Sequence, residues 1–150
     1  MMRLASSVVL TLLLALLPSA LSAAPLELVT EEEARRPAPP WEEEPIDLRG
    51  SGPTITIRSP RDGEETRSPL EVDVEFGPGP SGLPVREESL KVAYVLLISI
   101  DLTEKVLPHL QQNRLHVQGV TIPAGRHKIR VSIADAAGNI STTTLRVVVR

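Results

Sequence analysis

The residues of this chain that can do chemistry are few and spread out. Asp62, Asp101, Asp135 and Asn139 carry the hard oxygen atoms that Ca²⁺ takes, and His109, His116 and His127 carry metal-binding nitrogens. Asp135 and Asn139 are the candidate metal site, because a short turn through Gly138 brings both to one hairpin tip. Ca²⁺ takes about six to eight oxygens, and no D-x-D-x-D-G run supplies them; the acids expected nearest that tip are Glu87 and Glu88. The same two residues equally shape a plain hairpin turn. The histidines show no H-x-H or H-x₃-H spacing, although His116 and His127 could lie on neighbouring strands.

Catalysis finds no such footing. The chain has no Cys, which removes disulfides, thiolate nucleophiles and Cys-ligated metals. No G-x-S-x-G elbow is present. Glu71, Asp73 and Glu75 alternate with apolar residues and so face solvent instead of pairing across a cleft. The expectation is a protein that is not an enzyme and has no cofactor, with Ca²⁺ at Asp135 and Asn139 kept only as the lesser alternative to a plain turn. Trp41 is the candidate partner-binding residue, since a lone Trp in an acidic, Pro-rich stretch is an anchor of the kind that dominates interfaces. Alternatively, Trp41, Ile46 and Leu48 fold back on the chain's own domain.

The elements that position these residues divide the chain in three. Residues 1–22 read as a signal peptide: Arg3 is the positive start, Val8 to Leu17 the apolar stretch, and Ala20-Leu21-Ser22 the small-x-small site. Cleavage is expected after Ser22, Ala23 or Ala24. The apolar stretch is well short of the ~20 residues of a spanning helix. The mature protein is therefore expected to be periplasmic or secreted, with no membrane span after cleavage. Doing without Cys suits a bacterial envelope better than a eukaryotic secretory route.

Residues 23–52 read as an acidic, Pro-rich linker. From Pro25 to Gly52 there are eight acids, three bases and five prolines. So polar a segment is expected to be disordered or loosely docked. Thr30 to Glu33 can cap a helical turn that Pro37 stops.

Residues 53–150 carry 12 Lys and Arg against 11 Asp and Glu, without the basic surplus of a nucleic-acid binder. Their apolar period is two. Ile55 and Ile57, Leu70 to Phe76, Leu115 and Val117, Ile129 to Ile133, and Leu145 to Val149 all alternate with polar residues. Leu90 to Ile100 is nearly continuously apolar, as for a central strand covered on both faces or one extending into packed structure. Turns fall at Pro60–Gly63, Gly77–Gly82, Pro123–Gly125 and Asp135–Asn139. Asp101 to Glu104 looks like a capping box that opens one or two helical turns, disturbed at Pro108. The fold class is all-β: an Ig-like antiparallel β-sandwich of about seven strands with one short helical turn. Phe76 and Tyr94 point inward, which leaves no aromatic platform for sugars.

The stretches TITIRSPRDGEETRSPLEVDVEF, ESLKVAY and IPAGRHKIRVSIADAAGNISTTTLRVVV resemble a bacterial Ig-like domain of exported proteins. In that family a strand ends in a Ser-Pro…Asp-Gly turn, here Ser59-Pro60 and Asp62-Gly63. The last hairpin carries Asp-x-x-Gly-Asn, here Asp135, Gly138 and Asn139. The resemblance covers residues 53–150 and implies an adhesion unit, spacer or accessory domain. The expected function is an exported, non-catalytic protein-interaction or structural module of the cell envelope, its partner an envelope or extracellular protein. The alternative is a Ca²⁺- or small-ligand-binding accessory protein of the periplasm. Edge-strand pairing or loop contact is the expected mode of contact, with Leu70–Phe76 or Leu145–Val149 as possible edges. Ser141 to Thr144 are read as strand formers with no binding role.

Overall fold

A computed structural model describes residues 24–42 and 50–150. The export signal, and the part of the Trp41 reading that involves Ile46 and Leu48, lie outside the described residues. Two sheets pack face to face. Sheet A holds β1 (Leu26–Glu27), β2 (Thr54–Ser59), β4 (Leu70–Gly77), β7 (Leu110–Gln111) and β8 (Arg114–Thr121), in the order β1-β8-β4-β2 with β7 on β8. Sheet B holds β3 (Glu64–Thr66), β5 (Val85–Tyr94), β6 (Ile100–Asp101), β9 (Gly125–Asp135) and β10 (Ile140–Val149), in the order β3-β10-β9-β5-β6.

Seven of these strands have three or more residues, and their arrangement is that of an Ig-like sandwich. The period-two pattern explains why. Leu145, Val147 and Val149 of β10 and Ile129, Val131 and Ile133 of β9 all turn to the core, as do Leu90, Val92 and Tyr94 of β5. Phe76 also points inward, as expected. Among the described residues no helix is long and apolar enough to cross a membrane.

The first long stretch is split between the sheets. β2 pairs with β4 in sheet A, and β3 runs parallel to the end of β10 in sheet B, with Val147 opposite Glu64 and Val149 opposite Thr66. The Pro60–Gly63 turn makes the switch. Gly63 takes φ +76°, which suits glycine, and its N–H donates to the Arg146 carbonyl. Asp62 accepts from the Arg146 backbone N–H and side chain.

Three local expectations are corrected. Asp73 is not solvated: the register shifts near it, and the Arg114 guanidinium closes over its carboxylate with two bonds of 2.8 Å, leaving 7% exposed. β5 stops at Tyr94, where the apolar run bends away and leaves Leu97 and Ile98 exposed. The helix α2 (Thr103–Val106) starts one residue late. Asp101 accepts from the Thr103 N–H, but Leu102 stands at the cap with no side-chain bond. A 3₁₀ turn over Leu107–His109, with Pro108 in it, follows as the proline demands.

The largest departure concerns the acidic segment. Residues 24–42 are not a loose linker before the domain: they are part of it. β1 runs parallel to β8, and Leu28 and Val29 are core residues at 3% and 1% exposure. The helix α1 (Glu31–Ala34) carries the expected capping box, Thr30 and Glu33 bonding each other's backbone N–H. That bond to the Thr30 N–H is the main reason the Glu33 carboxyl sits below its usual range. Lys105 fastens the segment by donating to the Leu28 carbonyl at 3.0 Å. Mean composition hides this, because a few aliphatic side chains in a hydrophobic slot outweigh the many acids left in water.

Candidate binding groove

Among the described residues, the split first strand leaves one margin of the sandwich without a pairing strand. β3 covers β10 only from Val147 onward. The upper half of β10, toward the Asp135–Asn139 tip, has β9 on one side and no described strand on the other. Strand geometry says which groups face the gap. The Arg146 N–H and carbonyl point away from β9, to Asp62 and Gly63. The β9–β10 register is unbroken, so the N–H and carbonyl of Thr144 and Thr142 point the same way. Among the described residues nothing pairs with these four groups.

They border a groove of about 350 Å³ between the free margins of β2 and β10. Its wall on one side is Thr54, Ile55 and Thr56, on the other Ser141, Thr142 and Thr143, with Gly52, Pro53 and Pro80 closing the upper end. Glycine is required there. A Cβ on Gly79 would stand 1.8 Å from the Gly52 carbonyl oxygen, and one on Gly52 would stand 2.7 Å from Ser141 Oγ. The interior of the groove is apolar and hydroxyl-bearing, without charge.

On the outer face beside it, Thr142 and Thr144 are buried at 7% exposure each. Ser132 Oγ and Thr142 Oγ1 hydrogen-bond at 2.8 Å. Among the described residues Thr144 Oγ1 has no partner, and neither does the buried Nε of Arg130 directly across on β9. Sequence reasoning passed over this site because Ser141–Thr144 reads simply as a strand. The usable signal was a strand beginning with hydroxyls on both faces, where a covered strand would carry aliphatic residues.

The residues singled out from sequence fall elsewhere. Asp135 is fully buried, and its carboxylate accepts from the N–H groups of Ala137 and Asn139, the Asn139 amide and the Ser81 hydroxyl. These bonds, from Asn139 first, hold its pKa below the usual carboxylate range. All four lone-pair directions of Asp135 are spent, three on the turn and one on Ser81, and Asn139 presents its nitrogen. Among the described residues no three acids, histidines or cysteines are grouped as a metal site would need. Asp62 and Asp101 lie at the opposite end, each held by its own turn or helix contact.

Trp41 packs on the chain itself. Its half-buried ring lies under the Arg126 guanidinium, 5.4 Å from the centroid, while Lys128 donates to the Pro40 carbonyl at 2.7 Å. His116 and His127 are on different sheets, so they cannot share an ion. His116 pairs with Glu71 on the outer face of sheet A. His127 is buried: its Nε2–H donates to the Pro123 carbonyl at 2.8 Å, so its Nδ1 accepts from Tyr94 Oη at 3.0 Å. Burial pushes the His127 pKa down, keeping the ring neutral. The two strands named as edges also prove covered: β4 is internal, and Val147–Val149 is paired with β3. Among the described residues the unpaired margin is the other half of β10.

No protein-family model matches the chain, and no curated protein is significantly similar to it. Among solved structures it is similar to an engineered protein known from a 1.98 Å crystal structure. The two are 19% identical, with 65% of this chain and 20% of that one covered and a TM-score of 0.42. The chain thus spans about a fifth of that structure's length.

Proposed function

We propose that this chain is an exported, non-catalytic interaction module of the cell envelope, akin to the Ig-like domains of exported bacterial proteins, and that it holds an extended segment of a partner protein along the upper half of β10. The sequence of residues 1–22 supports the address. The observation that carries the contact is the set of four backbone groups of Thr142 and Thr144 facing the groove. Only another extended polypeptide offers donors and acceptors at the matching repeat. Four backbone bonds at about 1 kcal/mol each amount to the scale of a millimolar Kd, so side chains filling the groove supply the remaining affinity.

The test uses Thr144→Pro, which removes the edge-facing N–H without touching the ladder to β9, and Thr144→Val, which keeps it. Baits of the full chain are incubated with an envelope fraction after melts confirm that each is folded. Wild type and Thr144→Val are expected to retain the same protein, and Thr144→Pro to lose it. Identical profiles for all three sink the proposal. Deleting residues 25–52 is no substitute, because it strips Leu28 and Val29 from the core.

A further inference from the structure

We infer that the segment held on β10 carries acids at alternate positions, with small apolar residues between them; the inference rests on the edge-pairing reading above. A strand added beside β10 turns alternate side chains to opposite faces. One set enters the groove, where Ile55, Pro53, Gly52 and Thr143 leave room for small apolar groups and offer no countercharge. The other set emerges on the outer face of sheet B, next to Thr144.

That outer face is cationic. Arg126, Lys128 and Arg130 project from β9 and Lys91 from β5, by the same alternation that turns Ile129 and Val131 inward. The described acids around this face are Asp101 on β6, Glu65 on β3, which pairs with Arg150, Glu88 on β5, which pairs with Arg86, and Glu42 next to Trp41. Lys128 and Arg146 already have partners in Pro40 and Asp62. Arg130 and Thr144 are the exception. They stand opposite each other in a non-hydrogen-bonded pair, where strands approach most closely, and each has a buried polar atom without a partner. A carboxylate reaching over Thr144 gives both atoms an acceptor in one step.

The probes are three short synthetic peptides that alternate Val with Glu, Lys or Ser. Each is titrated into the full chain and into E42Q, which removes the acid next to Trp41 as a competitor. The Glu peptide is expected to bind about tenfold tighter than the Ser peptide, the Lys peptide weakest. Arg130→Gln should bring Glu and Ser peptides level while both still bind. If all three bind alike and Thr144→Pro abolishes them, the acidic composition is overturned and edge pairing stands. If no peptide binds either chain, both readings fall.

Discussion

Leu28 lies in a stretch whose composition argues for disorder, yet its side chain is 3% exposed among core residues of both sheets. Leu28→Ala removes three carbons from that core. Lost transfer energy and the residual cavity together cost about 3 kcal/mol. At roughly 3–4 °C per kcal/mol for a domain of this size, the melting midpoint should fall by about 10 °C. The matched control is Leu97→Ala, at an apolar position 69% exposed, where the change should stay within about 0.5 kcal/mol. Urea melts of both, followed by circular dichroism, check the numbers. The slope should match wild type if residues 24–42 unfold with the sandwich. A Leu28→Ala melt no different from Leu97→Ala would refute the idea that this segment belongs to the core.

The buried His127 predicts a pH dependence. Its folded pKa lies below the unfolded value of about 6.5, so the unfolded chain binds the proton first. Stability should hold above that pH and decline as pH falls through the window below it, a slope that His127→Gln should lack in melts at stepped pH. Asp135, held low by the turn, adds stability that stays above about pH 4 and is lost as acid protonates it. Because its carboxylate is already occupied, millimolar Ca²⁺ should leave the midpoint of wild type and Asp135→Ala unmoved. A rise in wild type alone would restore the cation site.

The sandwich was readable because alternation is a local signal. Each of the patterned runs at Ile55, Leu70, Ile129 and Leu145 became a strand, and Thr30–Glu33 capped its turn as written. The groove was not readable, since it depends on where the first strand leaves one sheet for the other. That switch is set by Asp62 and Gly63 meeting Arg146, more than eighty residues away in sequence. Asp135 and Asn139 were found as a pair, but residue type alone does not say whether their oxygens face an ion or an N–H group. Trp41 stood out by rarity, and its packing under Arg126 came from chain direction that composition does not encode.

Amide hydrogen exchange on β10 tests the central claim most directly. In the free protein the N–H groups of Thr142 and Thr144 should exchange fast, while those of Thr143 and Leu145, bonded to β9, should be protected together with the core. Adding the Glu–Val peptide should slow Thr142 and Thr144 and leave Thr143 as it was. Equal protection of all four in the free protein would contradict an open margin on this strand, and with it the proposed mode of binding.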